Sequence, residues 1–500
     1  MMGSANRSAP SGPLAPGGAG APVVEDDSVA IDVYARGLVD GEYGPAAALA
    51  MRVVLAVARA TGASRLLRID SAHVDGCLYH GRAGLDFARR LVDLGGRVTV
   101  RTTLNVGSLD LRDPATVRAD PGLRKAGHAL MDAYVELGCE PTWTCAPYQI
   151  SHRPAFGTHV AWAESNAIAF VNSVFGARTE RYGDFVDIAA GITGLAPDVG
   201  LHTDAGRRPV LVLDCSSIPR ALWESDAAWA ALGALLGAIA GTRVAALTGV
   251  PGNLNDGGRT EARLKAVAAT AASAGGVALF HVVGVTPEAP DLATVLRLGD
   301  GSTTESPRPS PAAQPAVSEP AAIHPAAIHP AATQPPGTQP PGTQPPGTQP
   351  PTTVVSLDML RGARDRLTTA TGANLDAVSI GTPHFSVSEF ADLAALLARD
   401  QPFDPRVDVY VSTSRAVLAA ADALGYVEPL RRAGGRIVTD TCTYVTPVLD
   451  RSVRTVMTNS GKWAWYAPGN LGIDVALGTL ADCVTSARKG SVVRDETGWY

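Results

Sequence analysis

Residues 275–296 read GGVALFHVVGVTPEAPDLATVL, and residues 354–367 read VVSLDMLRGARDRL. Each is a short β-branched run followed by a stretch with helical spacing, the strand-then-helix unit of an α/β protein. Between them lies text of a different kind: PAAIHPAAIHP, then four near-copies of TQPPG or TQPPT. Such a segment favours extended polyproline geometry and has no side chains with which to build a core. The same type of unit stands on both sides. Residues 301–353 are therefore read as a proline-rich, disordered loop expanded within one architecture, because the entropic cost of a loop grows slowly with its length.

Working outward, short β-rich runs occur at 97–102, 209–213, 278–283, 377–380, 408–411 and 436–438. Helical spacing occurs at 46–61, 83–94, 260–274 and 387–397, and again over 471–487, which holds Cys483. Strands alternating with Ala-rich helices predict mostly parallel sheets with covered faces, and ligands gathered where strands end in loops. The division expected is a tail at 1–29, a first catalytic part at 30–300, the linker at 301–353, a second part at 354–490 and a tail at 491–500.

Composition narrows the class. Hydrophobic residues make up 46% of the 500 and charged residues 18%, so a core can be built. A net charge of −6 argues against a nucleic-acid partner. The longest apolar run, 227–250, is broken by Arg243 and reads as a helix followed by a strand, not a membrane span. Six cysteines are too few for a disulfide scaffold, and residues 1–30 lack an apolar signal core, so a cytoplasmic protein with reduced thiols is expected.

The chemistry-bearing residues cluster at strand ends. Residues 69–80 hold two His, two Asp, one Ser and one Cys. Thr102–Ser108 brings hydroxyls and the Asn105 amide, suited to a carboxylate or hydroxyl ligand or to a helix cap. Cys145 lies in a Pro-flanked aromatic loop, Glu164–Asn166 follow, and His384, Cys442 and Lys462 each occupy a polar loop further on. Three thiolates from separate loops would ligate an iron–sulfur cluster or a zinc, although no CxxC spacing marks such a site.

Taken together, the loops DSAHVDGCLYHGRAGLDFA (70–88), TTLNVGSLDL (102–111), MDAYVELGCEPTWTCAPYQ (131–149), AWAESNAIAFVNSVFGARTERYGDFVDIAAGITG (161–194), ALFHVVGVTPEAP (278–290), GTPHFS (381–386), DTCTYVTPV (440–448) and NSGKWAWYAPGNLG (459–472) resemble the aconitase X family. The resemblance implies a multi-domain α/β hydro-lyase with an iron–sulfur cluster, taken as 2Fe–2S. The activity implied is dehydration of cis-3-hydroxy-L-proline to Δ1-pyrroline-2-carboxylate. Alternatives are a phosphorylated hydroxy acid such as mevalonate 5-phosphate, for which Arg178, Arg181, Arg207 and Arg208 would read the phosphate, and a non-catalytic partner keeping the fold. The family's other branch carries Cys before Pro-His, where this chain has Thr382, so the metal ligands expected are Cys77, Cys145 and Cys442. Cys139, Cys215 and Cys483 are expected to pack. His73, His384 and Lys462 are the catalytic candidates. Ser71, Asn105, Glu164, Ser165 and Asn166 are the candidates for holding substrate. A separate small subunit carrying a swivelling domain is the expected partner.

Overall fold

The structure is a computed structural model that describes residues 28–149, 152–300, 349–398 and 401–500. Most of the N-terminal tail (1–27) and of the proline-rich loop (301–348) lies outside these residues.

Three parallel sheets carry the architecture. In the first, Ser71–Val74 lies between Arg101–Leu104 and Ala161–Trp162. The second runs Phe280–Val282, Ala245–Thr248, Leu211–Asp214, Thr352–Val354. Its last strand comes from beyond the proline-rich loop, so part of the segment read as linker is a sheet edge. The third runs Arg436–Thr439, Asp408–Thr413, Ala377–Phe385, Thr455–Thr458, Asp474–Leu477. A small antiparallel pair, Leu66–Arg68 with Leu195–Pro197, completes the strands described.

The helices expected at 46–61, 83–94, 260–274 and 387–397 are present at Pro45–Thr61, Arg82–Asp93, Arg259–Ala274 and Val387–Leu397. The run 227–250 is helix Asp226–Ala240 followed by strand Ala245–Thr248. That helix packs on Arg259–Ala274 through two glycines. A Cβ at Gly233 would stand 2.7 Å from the Val267 carbonyl oxygen, and one at Gly237 2.9 Å from that of Ala271, so only glycine lets the backbones approach this closely.

The pattern 471–487 divides differently from the reading. Helix Gly461–Leu471 ends at Gly472, in the left-handed region, then come strand Asp474–Leu477 and helix Leu480–Lys489. The C-terminal residues 491–500 also pack, in contrast to a free tail: Trp499 is buried beneath the Arg364 guanidinium, and Glu496 pairs with Arg364. Among the described residues no single helix is long and apolar enough to cross a membrane.

Strand order places the site. In the third sheet the chain begins at Ala377–Phe385, winds outward through Asp408–Thr413 to Arg436–Thr439, then returns to the other side at Thr455–Thr458. The direction of winding reverses between Ala377–Phe385 and Thr455–Thr458, and the carboxyl ends of two such strands diverge into a crevice. Loop 105–113 is fastened to the carboxyl edge of this sheet. Asp110 accepts from the Thr439 amide (2.9 Å), and Asp440 accepts from the Leu111 amide (3.1 Å) and the Arg415 guanidinium. The carboxyl ends of the first and third sheets are thereby held together.

Candidate active site

Cys145, His384 and Cys442 come together between the two sheets, all buried, with one donor atom from each within 4.8 Å of the others. His384 is positioned by the end of strand Ala377–Phe385 and Cys442 by the loop after Arg436–Thr439. Cys145 sits between helix Pro121–Glu136 and strand Ala161–Trp162. The His384 amide donates to the Cys145 sulfur (3.3 Å), and its ring nitrogens meet the Thr144 hydroxyl (3.0 Å) and the Thr441 carbonyl (3.2 Å). Gln149 and Lys265 donate to the His384 carbonyl.

The two thiols share a proton unequally. Burial opposes ionisation of Cys145, but a hydrogen bond from Cys442, the Lys462 ammonium and the His384 amide together outweigh it, so its pKa falls. The Cys442 thiol, which donates that bond and is itself buried, is pushed well up. Burial, with Lys265 and Lys462 nearby, lowers His384 to about 4, which leaves a neutral imidazole at physiological pH. Two thiols, one of them eased toward ionisation, and a neutral imidazole form a donor set suited to iron or zinc.

Beside this group stands a buried ion pair, Lys462 with Glu164. Lys462 opens helix Gly461–Leu471 at the winding reversal, where Ser460 caps the helix by accepting from the Trp463 amide (3.0 Å). Desolvation works against the ammonium, but Glu164, Tyr444 and Cys145 overcome it and hold the Lys462 pKa well above the ordinary lysine range. Glu164 has φ +66°, a backbone state costing about 1–3 kcal/mol for a non-glycine residue. That conformation lets it cap helix Ser165–Phe170 through the Ala167 amide (2.9 Å) while its carboxylate reaches Lys462.

Asn166 is fully engaged: its amide nitrogen donates to the Cys145 carbonyl (3.0 Å) and to Glu164, and its oxygen accepts from Tyr148 (2.8 Å). The Ser165 hydroxyl donates to Glu164 (3.4 Å). Asn105 donates to Asp75, and its own oxygen is buried without a partner among the described residues. Burial, Asp184 and Glu164 raise Asp75 to about 8 against the pull of Asn105 and Lys462, which makes it a proton-bearing acid at neutral pH. Asp187, raised to about 7 chiefly by burial, accepts from the Asp75 amide (2.8 Å).

Other sequence candidates lie elsewhere. The Cys77 thiol is turned toward the carbonyls of Asn105 (3.4 Å), Val74 and Val106, outside the Cys145–His384–Cys442 group. His73 meets Thr103 (2.8 Å) and packs on Trp162, its pKa pushed down to about 3 by burial and by His152, which is the setting of a core histidine. Ser71 starts its strand, paired with Arg101, at the end opposite the Asp75 loop. Three of the arginines considered for phosphate are taken. Arg207 is buried on Glu288 (2.7 Å), Arg178 pairs with Asp204, and Arg208 pairs with Asp300. Asp75 lay in the polar stretch 69–80 without an assigned role, and Asp187, Thr144 and Tyr444 were not among the candidates. Asp187 left one signal, an acid inside the otherwise apolar helix Val186–Thr193.

This fold and site describe an α/β enzyme with a thiol–imidazole centre at a crevice between parallel sheets. Comparison with known proteins gives the particular kind. Family profiles match as Aconitase X first domain over residues 28–205, second domain over 210–306 and third domain over 375–489. A cis-3-hydroxy-L-proline dehydratase of Pseudomonas aeruginosa is 37% identical over 92% of this chain and 70% of its own length. A phosphomevalonate dehydratase large subunit of Methanothermobacter thermautotrophicus is 33% identical over 89% of this chain and 96% of its own length. The crystal structure of Thermococcus kodakaraensis aconitase X in its holo-form superposes with a TM-score of 0.71 at 29% identity, covering 92% of this chain and all of that one. The chain belongs to the aconitase X family, and it is a hydro-lyase of the dehydratase type.

Proposed function

We propose that the chain dehydrates cis-3-hydroxy-L-proline to Δ1-pyrroline-2-carboxylate, with an iron–sulfur centre held by Cys145 and Cys442 and completed by a separate small swivelling subunit. The observation that carries this reading is the buried Lys462–Glu164 ion pair set beside a two-thiol and imidazole group.

Cys145, its pKa lowered, and Cys442 lie within reach of one another and fit the thiol side of an iron–sulfur group of the 2Fe–2S kind. Such a centre supplies Lewis acidity toward the leaving 3-hydroxyl. Lys462 supplies fixed positive charge for the substrate carboxylate, and Glu164 holds that ammonium in place. The partnerless Asn105 oxygen suits the ring ammonium of an imino acid. Asp75 holds a proton at its carboxyl within the same buried network. Lys462 stays protonated and His384 is occupied on both nitrogens, so the base for the C2 proton is assigned to the small subunit.

Three of the four arginines considered for phosphate are held in ion pairs, which favours a small imino acid over a phosphorylated substrate. The proposed partner is supported by the relative named a large subunit, which the match spans over 96% of its length.

Anaerobic co-expression with a small swivel-type protein, followed by assay of Δ1-pyrroline-2-carboxylate formation, tests the proposal, with mevalonate 5-phosphate as the competing substrate. Activity should rise about 10²–10⁴-fold on adding the subunit, the range of a general base. Turnover of mevalonate 5-phosphate alone would refute the substrate, and full activity of the isolated chain would refute the partner.

A further inference from the structure

Tyr444, two residues beyond Cys442, lies parallel to Tyr466, with ring centroids 5.7 Å apart and planes 7° apart. Tyr466 stands four residues after Lys462 on helix Gly461–Leu471, so the two share a helix face. Tyr444 also packs against the apolar cluster of Val106, Cys145 and Cys442. Its hydroxyl has no hydrogen-bond partner among the described residues, and the Lys462 ammonium interacts electrostatically with it. The loop after strand Arg436–Thr439 and the helix Gly461–Leu471 thus place one aromatic pair beside the thiol group.

We propose that the Tyr444–Tyr466 stack is the specificity wall of the active site: it receives the flat hydrocarbon edge of a five-membered imino-acid ring whose carboxylate is held by Lys462. This rests on the substrate class proposed above and adds the residues that select it. A stacked aromatic pair offers a rigid apolar face at little entropic cost, and a ring can lie on it where a flexible phosphorylated chain gains less. The Tyr444 hydroxyl adds a donor beside Lys462 for the same carboxylate.

The test uses the iron-loaded chain with its small subunit and compares Tyr466→Ala, Tyr466→Phe and Tyr444→Phe. Tyr466→Ala should raise KM for cis-3-hydroxy-L-proline about five- to tenfold while kcat falls less than threefold, the scale of one lost aromatic contact. Tyr466→Phe should restore KM, because the ring and not the hydroxyl does the work. Tyr444→Phe should raise KM by a few-fold through loss of the donor. Calorimetric binding of pyrrole-2-carboxylate, a planar unreactive probe, should weaken in parallel, and visible absorption should show the centre intact in all three. Unaltered KM and probe affinity in Tyr466→Ala, with the unsubstituted enzyme active, would overturn the wall alone. No turnover of the imino acid and no probe binding by the unsubstituted enzyme would overturn the wall and the substrate class together.

Discussion

Six cysteines are free and buried, yet they differ in what surrounds them. Cys145 has a thiol donor and an ammonium beside it, whereas burial and the acids Asp226 and Asp482 push Cys483 well up. Cys145→Ser and Cys442→Ser should therefore lose iron, sulfide and visible absorption, while Cys483→Ser keeps all three; retained colour in the first two would refute the assignment. Lys462 sits at the same scale. Lys462→Met would leave Glu164 as an unpaired buried carboxylate, which costs about 3–5 kcal/mol. Both the thermal midpoint and imino-acid turnover should fall, and an unshifted midpoint would show the pair to be dispensable. The Cys145 and Cys442 loops were legible because polar residues at strand ends are chemically conspicuous. Cys77 shares such a loop, but which way a thiol points is settled by packing: its neighbours are backbone carbonyls, a fact no spacing records. Asp187 was hidden for the related reason that its helix carries an apolar period.

At the scale of elements, long periodic segments were legible and short ones were not. The helices at 46–61 and 260–274 match within one residue at either end. The stretch 471–487 does not, because a four-residue strand, Asp474–Leu477, is too short to impose its own period between two helices. Those elements are joined to the second sheet's helices by Asp226, which accepts from the Leu480 amide (2.8 Å) at the start of helix Leu480–Lys489. Burial raises Asp226 to about 6 despite that bond. Its folded pKa lies above the ordinary value near 3.8, so the ionised form disfavours folding. The cost is absent below about pH 4, grows as pH rises to 6, and is constant beyond. Asp226→Asn keeps an acceptor for Leu480 and removes the charge. It should be more stable than the unsubstituted chain by about 1–3 kcal/mol at pH 8, and equal to it near pH 4. Denaturant midpoints at the two pH values measure this, and the same difference at both would show that ionisation is not the cause.

For the whole molecule, the site exists only while the parallel sheets keep their places. Arg207 is one fastening: wholly buried, it binds Glu288 through both oxygens, the Asn172 side chain and carbonyl, and the Leu201 carbonyl. The proline-rich segment interrupts this architecture in sequence without interrupting it in space, since strand Thr352–Val354 pairs with Leu211–Asp214 and carries the chain into the third sheet. That distinction sharpens what the segment should tolerate. Replacing 301–348 with Gly/Ser sequence of equal length removes no described contact, so the thermal midpoint should stay within about 2 °C, below the shift that 1 kcal/mol produces in domains of ordinary size. Extending the replacement through Val354 removes the edge strand's backbone pairing with Leu211–Asp214, and of its three residues two are exposed and one half-buried, so the loss should be moderate, about 1–3 kcal/mol from unmade hydrogen bonds. Scanning calorimetry of the two replacements separates the outcomes. A large fall with the first would mean that the proline-rich residues pack on the enzyme. No fall with the second would mean that the second sheet is complete without its strand from across the loop.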